Sequence, residues 1–101
     1  MRMTAERWSR MYQIFTAIEI MNIMNKETTV LDITECLQEI DYNIDINIVN
    51  SSIRHYRSNG LIRRKHNPYK RPFEYELSKR GVEKVDWLEE FAEEFLLDLD
   101  T

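Results

Sequence analysis

One glycine, Gly60, separates two incompatible periodicities, and that change limits the folds open to this chain more than any other feature. Before it, over residues 46–58, Val49, Ile53 and Tyr56 recur at the three-and-four spacing of one helix face. After it, over residues 61–77, Phe73, Tyr75 and Leu77 alternate with Glu74 and Glu76, the period of a strand with one buried face. Residues 67–71, with Pro68, read as the loop between that strand and an earlier one. Glycine tolerates the left-handed conformation that closes a helix, so Asn59-Gly60 predicts the stop. Asp45 is placed to cap the start. The segment is therefore expected to be a capped helix followed at once by a two-stranded hairpin.

The same segment holds most of the positive charge. Residues 51–80 carry nine Lys or Arg and two Asp or Glu, whereas residues 1–50 carry four and eight, and residues 82–101 one and eight. The net charge of −4 thus conceals a basic patch, and a polyanion responds to the local field. In the helix, Asn47, Asn50, Ser51, Arg54, Arg57 and Ser58 fall off the apolar face, a set rich in partners for bases and phosphates and lacking carboxylates.

Around this segment three further helices are expected. Residues 5–24 form the first, with Trp8, Met11, Tyr12, Phe15, Ile18 and Asn22 roughly on one face. Ile14, Ala17, Ile20, Met21, Ile23 and Met24 make its other faces apolar too. Such an excess implies burial on a second side, against another copy of the chain or within an enclosing domain. Residues 29–40 form the second, capped by Thr28 or Thr29, with Val30, Ile33, Leu37 and Ile40 on a clean face and Cys36 near it. Ser78 caps the last, over residues 79–99, where Val82, Val85, Trp87, Leu88, Phe91, Phe95, Leu96 and Leu99 stand among acidic residues.

A chain of 101 residues supports one core, and its 43% hydrophobic content is ordinary for a globular domain. A single cysteine cannot form an internal disulfide, no signal-peptide pattern opens the chain, and the longest apolar segment is too short to span a bilayer. A cytoplasmic setting without membrane association is expected. His55 and His66 have no metal-ligand spacing with Cys36, and no glycine-rich phosphate loop, nucleophile elbow or catalytic carboxylate pair occurs. Neither enzymatic activity nor a cofactor is expected.

Helix, short turn, helix and hairpin in this order, with the run Val49-Asn50-Ser51-Ser52-Ile53-Arg54-His55-Tyr56-Arg57-Ser58-Asn59-Gly60-Leu61-Ile62-Arg63-Arg64, resembles the winged helix-turn-helix family of transcriptional regulators. Tyr75-Glu76-Leu77-Ser78-Lys79-Arg80-Gly81 is similar to the strand-to-helix junction that ends the wing in small members dimerising through terminal helices. The resemblance covers nearly the whole chain. It implies an α+β, mainly helical single domain that binds double-stranded DNA as a homodimer and regulates transcription by occupying an operator.

By the same resemblance Asn47, Asn50, Ser51 and Arg54 would contact bases, and Arg57 a phosphate. Tyr69, Lys70 and Arg71 in the wing loop would follow the backbone or minor groove, with Lys79 and Arg80 adding to the basic side. The dimer surface would be drawn from Trp8, Tyr12, Phe15, Trp87, Leu88, Phe91 and Phe95. Helix 46–58 is less basic in its first turns than many family members. Glu74 and Glu76 are expected to pair across the hairpin with some of Arg63, Arg64 and Lys65, leaving Lys70 and Arg71 more available. Three alternatives stay open: the polar helix face is simply solvated, the domain docks a protein partner and not DNA, or the nucleic acid is structured RNA.

Overall fold

The computed structural model describes residues 5–41, 43–66 and 71–99, with side chains described through Glu90. The order is α1 (Ala5–Ile23), α2 (Val30–Gln38), α3 (Ile46–Ser58), β1 (Ile62–Arg64), β2 (Tyr75–Leu77) and α4 (Lys79–Leu99). The strands form a two-stranded antiparallel sheet in the register Ile62↔Leu77, Arg63↔Glu76, Arg64↔Tyr75.

The apolar excess of α1 is resolved largely within the chain itself. Ile14, Phe15, Ala17, Ile18 and Met21 are all buried, because α1 runs through the middle of the domain and packs against α2, β2 and α4. Ile20, Ile23 and Met24, at its C-terminal end, remain exposed. That end is closed by Asn25 in the left-handed region (φ +56°), with Asn25 N–H donating to Asn22 O at 3.1 Å and Lys26 N–H to Met21 O at 2.8 Å. Asparagine is the residue after glycine that best tolerates this closing turn.

Two neighbouring threonines then divide their work. Thr29 caps α2 in a reciprocal box: its hydroxyl oxygen accepts from Asp32 N–H at 3.1 Å, and Asp32 Oδ2 accepts from Thr29 N–H at 3.2 Å. Thr28, fully buried, instead joins the sheet. Its hydroxyl donates to Tyr75 O at 2.7 Å, and Tyr75 N–H donates to Thr28 O at 3.1 Å, so the linker is tied at this residue to the edge of β2 that β1 leaves free. α2 stops at Gln38, short of the expected Ile40, which lies in the turn and is 73% exposed. Gln38 Nε2 donates to Ile44 O at 2.9 Å, fastening α2 to the turn before α3.

Asp45 caps α3, accepting from Asn47 N–H at 2.7 Å, while Val49, Ile53 and Tyr56 turn inward. The helix closes through Gly60 (φ +75°), with Gly60 N–H donating to Arg57 O at 3.0 Å and Leu61 N–H to Tyr56 O at 3.0 Å. Ser78 forms the junction into α4. Its hydroxyl donates to Gly60 O at 2.6 Å and accepts from Gly81 N–H at 3.1 Å, so one side chain ties the end of α3 to the start of α4. α4 returns antiparallel along α1, burying Val85 and Leu88, and Trp8 Nε1–H donates to Leu88 O at 2.8 Å.

These positions correct part of the expected dimer surface. Phe15 and Leu88 are fully buried in the chain's own core and present nothing to a partner, because α4 lies directly on α1. Trp8 and Tyr12 are half-buried and stacked on each other, with ring centroids 5.2 Å apart, and Trp87 is 42% exposed. The side chains of Phe91 and Phe95 lie outside the described residues.

Candidate nucleic-acid interface

α3 is held from three sides: Asp45 fixes its start, Gly60 its end, and Val49, Ile53 and Tyr56 its inner face. Phe15 of α1 meets Tyr56 edge-on, the ring centroids 5.0 Å apart at 86°. What remains outside is Ile46, Asn47, Ile48, Asn50, Ser51, Arg54, His55 and Ser58, all exposed, with Arg57 half-buried at the edge. No carboxylate occurs within α3, and its N-cap is Asp45. The side chains of Asn47, Asn50 and Arg54 have no partner among the described residues, so their hydrogen-bonding groups are open to a ligand. His55 is engaged locally, a ring nitrogen standing 3.3 Å from Asn59 Nδ2.

Burial raises the Tyr56 phenol above its usual value of 10.0, an effect that the positive charges of Arg10 and Arg7 and a hydrogen bond with Ser52 only partly offset. The folded chain therefore holds this proton to higher pH than the unfolded chain does. Its contribution to stability is complete below pH 10.0 and is lost as pH rises through the folded value. Spectrophotometric titration near 295 nm should show a late-ionising component that is lost in Tyr56→Phe, and melting temperature should decline more steeply above pH 10.0 in the parent than in that variant. A titration curve unchanged at its alkaline end in Tyr56→Phe would contradict this.

The hairpin cations divide into two groups. Arg63 Nε donates to Glu76 Oε1 at 3.1 Å across the ladder, and Lys65 Nζ lies 3.9 Å from Glu74 Oε1. Arg64 and Arg71 instead both lie over one ring, their guanidinium carbons 3.7 Å and 4.7 Å from the Phe73 centroid. Neither has a carboxylate partner among the described residues. Sequence reasoning missed Arg64 and Phe73 as a unit; the signal was the register, which sets Arg64 opposite Tyr75 and diagonal to Phe73. Tyr69 and Lys70 lie outside the described residues.

Lys79 and Arg80 are exposed at the first turn of α4. Arg80 reaches back to the end of α3, its guanidinium beside Gly60, where it lines a cleft of about 460 Å³ with Asn59, Lys84 and Trp87. Lys84 Nζ stands 4.0 Å from the Trp87 ring centroid. The structure thus brings Asn47, Asn50, Ser51 and Arg54 onto one exposed helix surface. Arg80 is set apart from them, at the opposite end of that helix.

No helix among the described residues is long and apolar enough to cross a membrane. Neither a protein-family model nor a curated protein matches the chain. Among solved structures it is similar to the crystal structure of a candidate HTH-type transcriptional regulator, ytcD, at 15% sequence identity and a TM-score of 0.52, over 98% of this chain and 100% of that one. Four helices with a two-stranded antiparallel sheet, in this order, make the fold a winged helix-turn-helix.

Proposed function

We propose that the protein is a cytoplasmic homodimer that binds double-stranded DNA through α3 and regulates transcription, as a repressor, by occupying its operator. The observation that carries this reading is the exposed surface of α3, which joins open amide and guanidinium groups and contains no carboxylate. In this reading α3 enters the major groove, Asn47, Asn50, Ser51 and Arg54 meet base edges, and Arg57 meets the backbone. Arg64, Arg71 and the wing loop with Tyr69 and Lys70 follow an adjacent phosphate strand, and Lys79 and Arg80 extend the positive field. Trp8, Tyr12, Trp87 and the α4 residues Phe91 and Phe95 contribute the contact between copies. A two-fold axis then sets the two α3 helices about one helical turn, roughly 34 Å, apart.

The test is fluorescence anisotropy of a mixed-sequence duplex titrated with protein at several salt concentrations, beside Arg54→Ala/Arg57→Ala. The parent should bind more weakly as salt rises. The variant should lose roughly ten- to a hundredfold at low salt, with a salt dependence shallower by about one to two released ions. Equal competition by duplex RNA would contradict major-groove entry, since that groove is too narrow in RNA to admit α3. Absence of binding at low salt would move the reading to a protein-interaction module, for which the exposed Ile20, Ile23 and Met24 supply an apolar surface.

A further inference from the structure

We infer that α3 reads a half-site whose core is a run of A·T base pairs, with Asn47 and Asn50 on adenine edges and Ile46 on a thymine methyl. This rests on the DNA-binding reading above and adds the sequence class of the target.

The first two turns of α3 present Ile46, Asn47, Asn50 and Ser51 outward, and no arginine or lysine stands among them. In the major groove, guanine shows two acceptors, N7 and O6, whereas adenine shows the N7 acceptor beside the N6 donor. A carboxamide offers one donor and one acceptor. It matches adenine on both atoms, and at guanine its carbonyl oxygen faces O6, acceptor against acceptor. Neither amide has a side-chain partner among the described residues, so no such bond must be broken before they bind. Residues three apart on a helix have Cβ atoms about 5–6 Å apart, and successive base pairs rise about 3.4 Å, so the two amides fall on neighbouring or next-neighbouring pairs.

Ile46 strengthens the assignment. It is 41% exposed at the first residue of α3, outside the core, and four residues before Asn50 on the same side of the helix. An apolar side chain there has one favourable partner in the groove, the thymine C5 methyl, which cytosine lacks. Arg54, a turn further on, is the only exposed guanidinium of α3 and allows at most one guanine at the edge of the half-site.

The chain should first be used to select binders from a library of duplexes with a randomised 20-base-pair centre. The affinity of a selected duplex is then measured with one adenine at a time replaced by 7-deazaadenine, removing a single N7 acceptor, and with one thymine at a time replaced by uracil, removing a single methyl. The expected selection is A·T-centred half-sites. The 7-deaza change should weaken binding by roughly two- to tenfold, corresponding to one hydrogen bond, and the uracil change by about fourfold, corresponding to one buried methyl. Each penalty should vanish in the matching variant, Asn47→Ala or Asn50→Ala for the first and Ile46→Ala for the second. All three positions are exposed, so the variants should fold, which circular dichroism melting is to check. Tight binding to G·C-centred sites, or indifference to both base changes, would overturn this inference while leaving DNA binding intact. Failure to bind any duplex would overturn both.

Discussion

Gly81→Ala is expected to destabilise the protein by about 1–3 kcal/mol, lowering its melting temperature by roughly 4–24 °C, although alanine is the better helix former. Gly81 lies in the first turn of α4, and a β-carbon there would run into the carbonyl oxygen of Leu61, which is backbone and cannot swing aside. Leu61 C and Leu77 Cβ would also be close, at 3.2 and 3.3 Å. The Leu61 carbonyl accepts from Ser78 N–H at 3.0 Å, so moving it also disturbs the serine that caps α4. Alanine gains at most about 1 kcal/mol in helix propensity. Overpacking against rigid backbone costs about 1–3 kcal/mol, and a disturbed cap about 1 more. The losses win. Thermal melting followed by circular dichroism decides the sign, and a melting temperature at or above that of the parent would show that α4 can move off Leu61 without cost.

That contact was only half legible in the sequence. The run from Tyr75 to Gly81 marks a strand-to-helix junction and Ser78 marks a cap, because both signals are local. The need for a glycine at position 81 arises from Leu61, twenty residues earlier, and no local pattern reports it. The same division runs through the rest of the molecule. Asp45, Val49, Ile53, Tyr56 and Gly60 could be assigned from spacing alone, since cap, apolar stripe and stop all act within one helix. Thr28 could not: as a cap it was equivalent to Thr29, and what separates them is the edge of β2, 47 residues away.

α1 shows why apolar content alone does not identify an interface. Ile14, Ala17 and Met21 raised the prospect of a second buried side, and that side is supplied by the chain's own elements, because a central helix is covered by neighbours on several faces. In the candidate interface the residue types were legible but their freedom was not. Arg63 and Arg64 are adjacent and chemically identical, yet Arg63 is engaged by Glu76 and Arg64 stacks on Phe73. Only the register Arg63↔Glu76 separates them. Ile46 illustrates the reverse case. As an isoleucine it reads as core, and its exposure follows from its place at the first residue of α3, before Val49 and Ile53 turn inward.

Phe15→Ala should give the second large effect, a loss of about 3–5 kcal/mol. Phe15 is fully buried, and its ring meets Tyr56 edge-on at 5.0 Å, so truncation removes both a large transfer term and an aromatic pair. The core to which Phe15 belongs draws Ile18 from α1, Ile53 from α3 and Leu88 from α4, and collapse into the cavity would require separate elements to move together. Phe15→Leu refills most of that volume and should cost substantially less. Because Tyr56 is the last inward-facing residue of α3, the damage should be greatest in that helix. Hydrogen exchange should quicken in α3 amides of Phe15→Ala more than in α2, under conditions where the variant is still folded. Uniform acceleration across all helices would mean that α3 opens only with the whole domain, and that Phe15 has no particular hold on the helix proposed to read DNA.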